Sequence, residues 1–169
     1  MSNIKFKGDP IEVSGTIPNV GDKASDFTFV KDDLSEGSLA DFEGKKKVLI
    51  IVPSLDTGIC QMEAKAFTKR MEGREDTVGL MISKDLPFAM KRFCASEGLE
   101  TIINASDFRY NDFASQYNVE MTNGPLKGLF ARVVLVLDKD NNITYKEEVD
   151  DITHEPNYDA AKAAVEAIG

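Results

Sequence analysis

The sequence predicts an α/β protein with a central mixed β-sheet flanked by helices. Three observations carry that reading. Short apolar runs at residues 47–52, 77–82 and 133–137 have the length and composition of strands buried on both faces. Amphipathic stretches of helical length separate them. An alternating segment at 143–149 follows the last run through a turn at 138–142 and reads as its antiparallel neighbour. Strand–helix alternation makes parallel pairs and the closing strand pair makes an antiparallel one, so the sheet is mixed.

In chain order, Ile4, Phe6, Ile11 and Val13 alternate with polar residues around Gly8-Asp9-Pro10. That pattern predicts an N-terminal hairpin over about residues 3–14. After the first buried strand, a helix over Cys60–Met71 places Met62, Ala66, Phe67 and Met71 near one face, with Gly73 as its stop. A second helix over Leu86–Ala95 has Asp85 as a cap candidate, Pro87 in its first turn and Gly98 beyond its end. Helices are also expected at Arg109–Tyr117 and Tyr158–Ile168. Without repeat, low-complexity stretch or linker, residues 1–169 read as one domain.

The 169 residues are 42% hydrophobic, ordinary for a globular domain, and carry a formal net charge of −9. That charge argues against nucleic acid or an anionic membrane as a partner. No apolar run approaches the roughly 20 residues of a membrane span. The N-terminal residues lead into no apolar signal core, so a cytoplasmic location is expected. Two cysteines, Cys60 and Cys94, are too few for a secreted disulfide scaffold and form no Cys-x-x-Cys pair. With one distant histidine they offer no zinc spacing, so no metal is expected.

The chemistry concentrates in Pro53-Ser54-Leu55-Asp56-Thr57-Gly58-Ile59-Cys60, which reads as strand end, turn and helix start. A sulfur in a helix's first turn lies beside unpaired N–H groups and the positive end of the dipole, and both favour the nucleophilic thiolate. If Thr57 caps the helix, Cys60 stands at its third position and can donate its N–H to the threonine oxygen. Alternatively the Thr57 hydroxyl turns toward the sulfur or a ligand. Pro53 ends the strand and shields one side of the sulfur. Cys94 lies four residues after Met90 and eight after Leu86, and by itself reads as a core residue. A thiolate oxidised by peroxide becomes a sulfenic acid, which a second thiol in the same chain can trap. Bridged cysteines need Cα atoms roughly 4.4–6.8 Å apart, so two helical cysteines are expected to require local unwinding. Arg132 heads an apolar run, where its charge either caps a surface strand or stabilises a thiolate and holds a peroxide oxygen.

Pro-x-x-x-Thr-x-x-Cys, filled by Pro53, Thr57 and Cys60, resembles the peroxiredoxin active-site motif. The full octapeptide resembles the thiol peroxidase branch of that family. So do residues 85–94, Ser106-Asp107-Phe108-Arg109 and residues 124–132, in order along the chain. The resemblance implies a thioredoxin-like fold with an N-terminal hairpin, a homodimer, and thioredoxin as the reductant of a hydroperoxide-reducing enzyme. It implies no cofactor other than a redox-active intrasubunit disulfide, with Cys60 peroxidatic and Cys94 resolving. It assigns Thr57 and Arg132 to holding the peroxide and activating the thiolate.

Two positions depart from the family pattern. Glu63, one turn beyond Cys60, suits the helix dipole but would oppose a thiolate that it faced. Lys65 stands near where an arginine is usual and cannot make its bidentate contact. Two rival readings are a non-catalytic redox switch on the same fold and a Cys–His hydrolase. The hydrolase would need His154, the single histidine, which lies in a polar loop and has no role in the motif.

Overall fold

The computed structural model describes residues 3–97 and 102–168. Gly98, expected to stop the second helix, lies outside them. Fourteen elements follow one another: β1 (Lys5–Phe6), β2 (Asp9–Pro10), β3 (Thr28–Val30), β4 (Glu36–Ser38), a 3-10 turn (Leu39–Phe42), β5 (Lys46–Ile51), α1 (Gly58–Met71), β6 (Thr77–Ser83), α2 (Pro87–Glu97), β7 (Ile102–Ser106), α3 (Asp112–Tyr117), β8 (Val133–Leu137), β9 (Ile143–Glu148) and α4 (Tyr158–Ala167).

Seven strands form one sheet in the order β4-β3-β7-β6-β5-β8-β9. The central β5, β6 and β7 are parallel, whereas β8, β9, β3 and β4 join antiparallel. The continuous apolar runs have the expected cause, since side chains point alternately into two cores. Leu49 and Ile51 of β5 enter one with Phe27, Phe113 and Tyr117. Val48, Ile50 and Val52 enter the other with Phe67 of α1, Met90 of α2 and Val165 of α4. Because β5, β6 and β7 run in parallel, the loops that follow them gather at one end of the sheet.

The hairpin is smaller than its apolar alternation suggested. Lys5 pairs with Pro10 and Phe6 with Asp9. The turn is Lys7-Gly8, both at positive φ (51° and 88°), as a tight two-residue turn requires. Val13 instead bridges Met121. Residues 28–30, 36–38 and 102–106 are strands that the sequence reading did not expect; they are short, and Asn104 interrupts the apolar pattern of the last.

Helix α1 begins two residues before the expected start and ends at Met71, with Gly73 just beyond it at φ 78°. Its buried face is Cys60, Glu63, Ala64, Phe67 and Met71. Met62 is 48% exposed, so the apolar stripe is turned by one residue and admits a carboxylate in place of a thioether. Leu86 is likewise exposed, while Met90 is buried. Helix α3 starts three residues later than expected, because Asn111 takes a left-handed conformation and the buried Asp107 carboxylate accepts from the N–H groups of Phe113 and Ala114.

Candidate active site

The loop after β5 and the residue before β8 build the site together. Ile51 lies opposite Val133 in the antiparallel β5–β8 pair, so continuing the register places Arg132 across from Val52, beside the turn into α1. Cys60 is the third residue of α1 and is fully buried. Its Sγ accepts a hydrogen bond from Arg132 Nη1 at 3.1 Å. The same Nη1 donates to Glu63 Oε2 at 2.7 Å, and Arg132 Nε donates to the Ile152 carbonyl at 3.0 Å. The guanidinium is 2% exposed, which excludes the alternative of a surface strand cap. Burial works against its charge, but the interactions with Cys60 and Glu63 more than offset that and hold its proton.

Thr57 is the helix cap. Its Oγ1 accepts from the Cys60 N–H at 3.4 Å and donates to the Ser54 carbonyl at 3.1 Å. Pro53 is buried but lies two residues past the end of β5, so it belongs to the turn rather than the strand. Asp85 does not cap α2; that start is made by the Leu86 carbonyl, which accepts from Ala89 and Met90. The Asp85 carboxylate instead accepts from the Ser54 hydroxyl (2.7 Å), the Leu55 N–H (2.8 Å) and the Ser83 hydroxyl (2.6 Å). It joins the loop that presents Cys60 to the loop that begins α2.

Glu63 shares its arginine partner with Cys60. It is fully buried next to Cys60, but Arg132 stands between the two acids. Burial raises the Glu63 pKa to about 7 against the opposing pull of Arg132, and its Oε1 has no hydrogen-bond partner. Lys65 is exposed.

Cys94 lies on α2, half-buried at the edge of the core that contains Cys60, and both sulfurs are free thiols. Its Sγ accepts from Asn104 Nδ2 of β7 at 2.9 Å. Burial pushes the Cys94 thiol up, Asn104 opposes that, and Asp32 adds to it. Asn104 escaped the sequence reading; the signal was a buried polar residue inside Ile102-Ile103-Asn104-Ala105. His154 is exposed and bonds Asp150 at 2.9 Å, so the geometry gives a Cys–His hydrolase no support. Among the described residues no cluster of His, Cys, Asp or Glu could hold a metal ion.

The chain is 48% identical over 169 residues to a thiol peroxidase of Leptospira interrogans, covering 99% of each. It is 47% identical over 165 residues to a thiol peroxidase of Streptococcus pneumoniae, covering 98% of this chain and 99% of that one. The Redoxin family model matches residues 19–162. The chain belongs to the redoxin family, in its thiol peroxidase branch. The crystal structure of a peroxiredoxin-like protein from Aquifex aeolicus superposes with a TM-score of 0.92 at 40% identity, covering 96% of this chain and 95% of that one. A thiol peroxidase from Chromobacterium violaceum gives 0.86 at 22% identity, over 96% and 94%. This redoxin therefore has the thioredoxin-like fold expected from its motif, with the two-stranded N-terminal hairpin added.

Proposed function

We propose that this redoxin is a thiol-dependent peroxidase for hydrogen peroxide and organic hydroperoxides. The observation that carries the reading is the buried Arg132 guanidinium on the Cys60 sulfur at 3.1 Å, in the first turn of a helix. Cys60 thiolate attacks one peroxide oxygen. An S–O bond forms, the O–O bond breaks, and water or alcohol leaves with a proton. Arg132 and the helix's free N–H groups stabilise the charge that develops on the oxygens. In the structure the Cys60 N–H donates to the Thr57 hydroxyl, which itself donates to the Ser54 carbonyl within the loop, so peroxide exchanges with those bonds on entering. The resulting Cys60 sulfenic acid is trapped by Cys94, water is released, and thioredoxin reduces the disulfide. The redox groups are the protein's own thiols, and the chemistry needs no bound cofactor. Residues 1–169 act as one domain, in the cytoplasm and as a homodimer.

Peroxide consumption with thioredoxin and its reductase tests the reading. Cys60→Ser abolishes it; retained turnover overturns the assignment. Cys94→Ser keeps one turnover and loses thioredoxin-driven cycling; persistent cycling removes Cys94 from the mechanism.

A further inference from the structure

The environment of Cys94 is built rather than incidental. Val30 of β3 pairs antiparallel with Ser106 of β7, and continuing that register sets Asp32 across from Asn104. Asn104 is buried, and its side chain lies under α2, on the sheet face where Ile102 joins the same core. Its Nδ2 donates to Asp32 Oδ2 at 3.3 Å and to Cys94 Sγ at 2.9 Å. An ionised carboxylate only accepts, so Asp32 fixes which end of the amide points this way. One of the two N–H groups is thereby aimed at the sulfur, which must accept. A sulfur that accepts is favoured as thiolate over thiol.

We propose that Asn104, oriented by Asp32, is the hydrogen-bond donor that activates Cys94 as a nucleophile. This deepens the peroxidase reading and rests on Cys94 being the resolving thiol. In the step concerned, the Cys94 thiolate attacks the sulfur of Cys60 sulfenic acid. The S–S bond forms, the S–O bond breaks, and the departing hydroxide takes up a proton to leave as water. The attack rate follows the thiolate fraction of Cys94. Burial and the negative charge of Asp32, the one charged group acting on this sulfur among the described residues, both disfavour the thiolate; Asn104 is the group that opposes them. Asp32 thus orients the donor while holding the uncharged thiol as the resting form, and the fraction released is set by a single N–H.

The experiment measures the pH profile of iodoacetamide alkylation in Cys60→Ser protein, where Cys94 alone reports. Asn104→Leu keeps the volume and deletes the donor. We expect its midpoint to move to higher pH, with a rate at pH 7.5 about tenfold lower, the effect of one lost hydrogen bond to the charged form. An unmoved midpoint, including one with only a changed plateau, overturns the proposal. In protein with Asn104 intact, the Nδ2 proton resonances should titrate with the Cys94 midpoint; their failure to do so also overturns it, without any reliance on how the variant folds. In the presence of Cys60, Asn104→Leu should slow disulfide formation after one equivalent of peroxide. Faster formation would mean that Asn104 only docks α2, and would sink the proposal. Because the alkylation arm involves no turnover, its result is separate from the Cys94→Ser test of the resolving role.

Discussion

Arg132 carries one positive charge, and one of its nitrogens bonds both the Cys60 sulfur and the Glu63 carboxylate. Glu63 takes part of that charge through a 2.7 Å bond while keeping one oxygen unpartnered in the core. Desolvation outweighs the attraction, so the folded-state pKa is raised from 4.5 to about 7. The folded protein therefore holds the proton more tightly than the unfolded chain does. The associated stability is fully present below about pH 4.5 and is lost as pH rises through about 7. Glu63→Gln removes that dependence, so the variant should gain stability relative to the parent between pH 5 and pH 8, on the order of 3 kcal/mol by urea unfolding. It should also leave Arg132 to the thiolate, with Cys60 alkylation at pH 8 roughly threefold to tenfold faster. A relative stability that is flat with pH would show that Glu63 stays ionised throughout. The Thr57 cap and the place of Cys60 in the first turn of α1 were legible from their spacing, because helix starts and caps are local. Glu63 was noticed, but its contact with Arg132 was not legible, because that partner comes from 69 positions away.

Asp85 shows the same limit for an element. Next to Pro87 it has the sequence signature of an N-cap, but its carboxylate spans the gap between two loops. Those loops follow parallel neighbours, β5 and β6, so their adjacency is a property of the sheet. Asp85→Ala leaves the Leu55 N–H and two hydroxyls without their acceptor. We expect a loss of about 2 kcal/mol in urea unfolding, with Asp85→Asn losing less because one acceptor oxygen remains. Equal losses would show that the charge, and not the bonding pattern, matters. The loop also bears on the two-thiol cycle: bridging Cys60 and Cys94 is expected to unwind a helix start, and Asp85 ties the loop before α1 to the loop before α2.

Across the whole molecule, the N-terminal hairpin has a structural reason to be retained. The Lys7 and Gly8 N–H groups donate to the Asp151 carboxylate, and Lys5 pairs with the backbone on either side of it. The next carbonyl, that of Ile152, holds Arg132 Nε. The hairpin thus braces the segment that aims the arginine. At the same end of the sheet Phe88 is 65% exposed, with Leu86, Phe108 and Tyr110 also uncovered on the loops after β6 and β7. The proposed homodimer is testable on this apolar patch. Phe88→Glu should then shift the mass measured by light scattering from dimer to monomer; an unchanged dimer places the interface elsewhere.

The sequence by itself determined the α/β class, the β5, β6, β8 and β9 strands, the four α-helices and the thiol at a helix start. Each of these follows from periodicity, capping or composition within a few consecutive residues. Tertiary structure decided between the two readings of Arg132 by placing it on Cys60, and it alone showed that Glu63 is its second partner, that Asp85 bridges two loops and that Asn104 meets Cys94. These contacts join residues 30, 72, 69 and 10 positions apart. Strand order and register set them, and no local pattern encodes which strands will lie side by side.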